Sequence, residues 1–64
     1  MEPSITVNQG EGKNYPTVSV WNERGHTRMW NCRTLTRAKK LAQALHAGRL
    51  EDGTYRGYPV TMIG

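Results

Sequence analysis

The sequence predicts an α+β fold with its elements in the order β-β-β-α-β. Three observations carry that expectation. Apolar and polar residues alternate in four short runs, which is the period of a strand with one buried face. One segment alone, "TLTRAKKLAQALHAG", follows the period of a helix. The 64 residues contain no repeat, low-complexity tract or linker, so residues 1–64 form a single domain. The expected architecture is an antiparallel three-stranded meander with one helix packed on one face. A right-handed crossover through the helix then returns a C-terminal strand parallel to the sheet.

The elements follow in chain order. "SITVNQ" alternates Ile5 and Val7 with Thr6 and Asn8 and makes the first strand. "GEGKN" is a glycine loop. "YPTVSVW" is the second strand, with Pro16 near its start because proline has no N–H for the ladder. "NERG" turns the chain, with Asn at the first position of a type I turn and Gly at the last. A three-residue loop, Glu23-Arg24-Gly25, with a glycine bulge sets Asn22 opposite His26 and leads into "HTRMWNCR" as the third strand.

In the helix, Thr36 or Thr34 caps the start and Gly48 takes the left-handed position after the end. Ala38, Leu41, Ala42 and Leu45 form one apolar stripe, opposite Lys39, Lys40, Gln43 and His46. "RLEDGTYRG" holds an Asp-Gly turn, and "YPVTMI" is the last strand, with Pro59 marking an edge.

The hairpin register pairs Val18 with Trp30 and Val20 with Arg28, and brings Pro16 near Cys32. Val18, Val20, Trp30 and Cys32 then face the core. Tyr15, Thr17, Ser19, Trp21, Thr27, Met29, Asn31 and Arg33 face the other way. A slip of one residue would exchange the roles of the two tryptophans.

Composition excludes several classes of function. A chain this short buries only about 60% of its unfolded surface. With no Phe and few large aliphatics, it has enough core for a sheet on a helix, but not for that core and a deep substrate pocket as well. Cys32 is the sole cysteine, which rules out an internal disulfide and fits a reducing compartment. No paired His or Cys stands at metal-ligand spacing. His26 and His46 have no spacing that brings them to Cys32, so a Cys/His nucleophile is not expected. Glu51 and Asp52 read as turn residues. "GEG" leads into a strand and not a helix, so it is not a phosphate loop. No run reaches the roughly 18 apolar residues of a membrane span, and the first ten residues lack a signal-peptide pattern. The expectation is a cytoplasmic, non-enzymatic protein without cofactor or metal, beginning at its own Met1.

What remains is surface recognition. The formal net charge is +4. From Arg24 to Arg49 the chain carries seven basic residues and no acid. Arg24 and Arg28 fall on the hairpin, Arg33 at a strand end, and Arg37, Lys39 and Lys40 in the first helical turns. Cations at a helix start oppose the helix dipole, so local stability does not explain them and an anionic partner would. Beside them, Thr17 and Trp21 lie on a sheet face of hydroxyls, amides and aromatics of the kind that meets phosphates and stacks on bases. These eight residues are the candidate site.

The helix "TLTRAKKLAQAL" beside a bare sheet face resembles the β-β-β-α plan of small DNA-binding modules such as AP2-type and integrase arm-binding domains. "AKKLAQAL" is similar to the last helix of double-stranded RNA-binding domains, whose first helix has no counterpart here. In size and layout the chain also resembles small phage proteins that bind host machinery, including transcription inhibitors and anti-CRISPR proteins. The resemblance implies two kinds of partner. One is DNA or RNA, met through the sheet face and helix N-terminus. The other is an acidic surface of a host protein in transcription, DNA processing or CRISPR defence, which would make the chain a phage-type regulator or inhibitor in the host cytoplasm. An edge strand could also pair across a two-fold axis, making a homodimer.

Overall fold

A computed structural model describes residues 2–10 and 14–63, apart from the side chains of residues 26 and 27. The strands are β1 (Ser4–Asn8), β2 (Thr17–Asn22), β3 (Gly25–Asn31) and β4 (Val60–Ile63), and the helix α1 (Leu35–His46) lies between β3 and β4. The sheet order is β3-β2-β1-β4. β1, β2 and β3 form the antiparallel meander, and β4 joins β1 in parallel. This is the expected α+β arrangement, with β1 inside the sheet between its sequence neighbour and the last strand.

Alternation decides which face is buried. Ile5, Val7, Val18 and Val20 lose all exposure, as do Ala38, Ala42 and Leu45 on the helix. The two alanines allow the helix axis to come close to the valines and Ile5. Trp30, Cys32, Leu35, Leu41, Tyr58 and Val60 close the margins of this core. Tyr55, 6% exposed, completes it from the loop between α1 and β4.

The register of the β2–β3 hairpin matches the expectation along most of its length. Val18 pairs with Trp30 and Val20 with Arg28, and the Cys32 N–H reaches the Pro16 carbonyl at 2.8 Å. The turn end differs. Asn22 pairs with Gly25, not His26, and Trp21 pairs with His26. The extra residue therefore falls at Thr27, inside β3, and not in the loop. The Asn22 Oδ1 accepts from the Arg24 N–H at 2.8 Å, closing the turn around Glu23-Arg24, and Gly25 follows at φ +111°. β3 also stops at Asn31, short of Arg33, because the chain must turn to enter the helix. The glycine loop expected at 10–14 lies partly outside the described residues.

Thr34, not Thr36, caps α1. Its Oγ1 accepts from the Arg37 N–H at 3.2 Å. At the other end, the Gly48 N–H bonds the Leu45 carbonyl and the Arg49 N–H the Ala44 carbonyl, with Gly48 at φ +78°. That paired motif satisfies the last helical carbonyls. The His46 carbonyl then accepts from the Gly57 N–H at 3.0 Å, and His46 Nδ1 donates to the Tyr58 carbonyl at 2.7 Å. These bonds tie the helix end to the segment that enters β4. The Asp-Gly turn between them is left-handed at three successive residues, with φ +53° at Glu51, +55° at Asp52 and +76° at Gly53.

Candidate binding surfaces

The helix covers one face of the sheet and leaves the other open. Pairing places Ser4, Thr6 and Asn8 of β1, Thr17, Ser19 and Trp21 of β2, Met29 and Asn31 of β3, and Thr61 and Ile63 of β4 on the open side. None of these side chains is charged. Met29 is 55% exposed and Ile63 51%, while Trp21 is half-buried beside Ser4, its cross-strand partner. Trp30, the other tryptophan, packs against the core. Of the eight candidate residues, Thr17 and Trp21 belong to this open face.

Arg28 does not join them. It lies opposite Val20, so its side chain leaves on the helix side. There its Nη1 sits 2.7 Å from Oε1 of Glu51, and its Cζ lies 4.9 Å from the centre of the Trp30 ring. Trp30 meets Tyr55 edge-on at 6.5 Å, and Tyr55 meets Tyr58 at 5.7 Å. Arg28 thus ends a row of aromatic rings, and its charge is matched by an acid 23 positions further along the chain. Glu51, Tyr55 and Tyr58 form this cluster with it. The sequence offered no signal for it beyond "EDG" and "TYRGY", since irregular loops have no period that could show which residues turn inward.

The other cations stay in water. Arg24 is exposed in the hairpin turn, where Pro3, Asn22, Glu23, Arg24 and Tyr58 line an open cleft of about 300 Å³. Glu23 stands beside Arg24 there, so the cleft has no single sign of charge. Arg33 is exposed just before the cap, and Arg37, Lys39 and Lys40 are exposed on the first turns of α1. Arg37 and Lys40, three residues apart, share one side of the helix, and Lys39 lies further round it. Among the described residues, none of these four makes an ion pair.

The arrangement therefore has three parts: an uncharged open sheet face, a cationic ridge over residues 33–40, and a hairpin end where positive charge meets Glu23 and Glu51. Among the described residues, no three His, Cys, Asp or Glu side chains gather as a metal site would require, and no helix is long and apolar enough to cross a membrane. No protein-family model, curated protein or solved structure matches the chain.

Proposed function

We propose that this protein is a non-enzymatic nucleic-acid-binding module that meets phosphates through Arg33, Arg37, Lys39 and Lys40. One observation carries the reading. Four exposed cations stand within residues 33–40, with no acid among them and no ion pair among the described residues. They crowd the helix end where the dipole opposes positive charge. Phosphates would offset both the mutual repulsion and the dipole. Arg24 lies beside Glu23 at the other end of β3 from this ridge, and Arg28 is engaged by Glu51, so both contribute less than the ridge residues. Thr17 and Trp21 would meet sugar or base edges where a bound strand passes onto the open face. Such a module needs no cofactor and would act in the cytoplasm.

The test is amide chemical-shift mapping with a DNA duplex, a single strand and an RNA hairpin, at low and moderate salt. Shifts centred on residues 33–40 that survive moderate salt are expected. Each phosphate contact on duplex DNA adds about 0.9 to the slope of log K against log salt. Arg37→Ala with Lys40→Ala should therefore lower that slope by nearly two. An unchanged slope would remove the ridge from the interface.

A second reading has its own observation. The open sheet face is neutral, with Trp21, Met29 and Ile63 set among hydroxyls and amides. Such a face suits a protein surface better than phosphate, and aromatic anchors dominate protein interfaces. A phage-type regulator or inhibitor would use it to hold a host protein, with the cationic ridge on an acidic patch. A stoichiometric partner retained from nuclease-treated bacterial lysate, and lost with Trp21→Ala, would favour this reading.

A further inference from the structure

The outward side of α1 carries no acid. Its buried stripe is Ala38, Ala42 and Leu45, so the line farthest from the sheet runs through Thr36, Lys40, Gln43 and the C-cap Ala47, all exposed. Arg37 flanks this line on one side and Lys39 on the other. Arg33 stands before the helix, and a second pair of exposed cations, Arg49 and Arg56, stands after it. Gly48 leaves room for the stem of Arg56, whose Cδ would lie 3.1 Å from a Cβ placed there. Among the described residues, neither Arg49 nor Arg56 makes an ion pair. The stretch between the two cation groups, Gln43, Ala44 and Ala47, is uncharged, and His46 is turned to the Tyr58 carbonyl.

We propose that α1 is a reading helix that lies in the major groove of B-form DNA, with Lys40 and Gln43 on base edges and the cations at both ends on phosphates. This rests on the nucleic-acid reading above and specifies its ligand as duplex DNA read in sequence. Width, spacing, chemistry and charge each select it. A helix with its side chains is about 10–12 Å across, and the major groove is about 12 Å wide. Lys40 and Gln43 are about 4.5 Å apart along the helix axis, a little more than one base-pair step of about 3.4 Å, so they meet neighbouring pairs. A lysine suits the O6 and N7 of guanine, a glutamine suits the N6 and N7 of adenine, and the methyl groups of Thr36 and Ala47 suit thymine. The groove has phosphate walls and a floor of base edges, which matches cations at the two ends and neutral side chains between them. The major groove of an RNA duplex is too deep and narrow for such reading.

The far end is the weaker one. A Cβ on Gly53 would lie 3.6 Å from the Gly48 carbonyl oxygen, so Asp52, exposed beside Gly53, brings an acid close to Arg49 and Arg56.

Selection of the whole protein on a randomised DNA duplex, followed by titration of the selected site at several salt concentrations, tests this. A preferred site of about five base pairs is expected, because the 12-residue helix is about 18 Å long. Gln43→Ala, an exposed change to a good helix former, should flatten the preference at one base pair by about fivefold or more without altering the salt slope. Arg49→Ala with Arg56→Ala should lower that slope by nearly two and leave the preferred sequence unchanged. Asp52→Asn should tighten binding, most at low salt. Duplex binding through residues 33–40 with no sequence preference would overturn the reading helix and leave the nucleic-acid function standing. So would tighter binding of a single strand or an RNA hairpin, or a preference that survives both Lys40→Ala and Gln43→Ala in folded protein. Absence of binding to any nucleic acid would overturn both.

Discussion

Arg28 and Glu51 join the outer strand of the sheet to the loop behind the helix, with Nη1 and Oε1 2.7 Å apart. Both side chains are partly exposed, at 47% and 35%, so solvent screens the pair and its contribution is about 0.2–1 kcal/mol. A double-mutant cycle of Arg28→Ala and Glu51→Ala should return a coupling in that range, shrinking in high salt. Arg28→Ala should be the costlier single change, because it also removes the guanidinium from the Trp30 ring. Thermal unfolding reads this directly, at about 4–8 °C per kcal/mol for a chain of this size.

The two threonines at the helix start separate cleanly. Thr34→Ala deletes the cap oxygen that receives the Arg37 N–H and should cost about 1 kcal/mol. Thr36→Ala, on the exposed first turn, should stay within about 0.5 kcal/mol. Equal losses in urea unfolding would contradict the capping assignment.

Gly10 and Gly25 both have positive φ but differ in surroundings. A Cβ on Gly25 meets nothing within 4 Å, so Gly25→Ala should cost only the strain of the left-handed backbone, about 1–2 kcal/mol. A Cβ on Gly10 would stand 2.6 Å from the Asn14 carbonyl oxygen, a backbone atom that cannot rotate away. Gly10→Ala should therefore be clearly the more destabilising in urea unfolding, and should shift the amides of residues 14–16.

Tyr55 fills the core from a loop and contacts two aromatic rings. Tyr55→Leu keeps apolar bulk but loses both edge-on contacts, at about 0.5–1.5 kcal/mol each. Tyr55→Ala should cost about 3–5 kcal/mol, a large share of the whole stability of so small a domain. Loss of near-ultraviolet dichroism in Tyr55→Ala with the helix signal retained would mark a core that has lost its packing.

The strands and the helix were legible because each has a period. Val18, Val20, Ile5 and Val7 alternate, and Ala38, Ala42 and Leu45 recur at helical spacing, so one register brings them together. The pairing of Val18 with Trp30 followed from that alternation. The bulge at Thr27 did not, because moving an extra residue from Gly25 to Thr27 leaves the apolar pattern beyond it unchanged. The cap at Thr34 could not be told from one at Thr36, since both offer the same hydroxyl. Tyr55, Tyr58 and Glu51 lie in a left-handed turn and its sequel, where no period exists and only tertiary contact selects a rotamer. The candidate site was legible as a list of cations but not as an arrangement. The pairing of Arg28 with Val20 followed from the hairpin register, but what neutralises Arg28 depends on a distant loop.

The place of β1 in the sheet bears on how the chain reaches its native state. β1 gains β2 through a local hairpin, but its other edge waits for β4, so Ile5 meets Val60 across nearly the whole length of the chain. Such non-local closure is slow, because the entropy of the intervening segment must be lost before any contact forms. Until then the backbone of Ile5 and Val7 presents a bare edge beside an unfinished core. An intermediate of this kind can accept the last strand of a neighbouring molecule as readily as its own. Refolding yield should therefore fall with protein concentration, and domain-swapped species joined through β1 and β4 should appear when the chain is refolded crowded and cold.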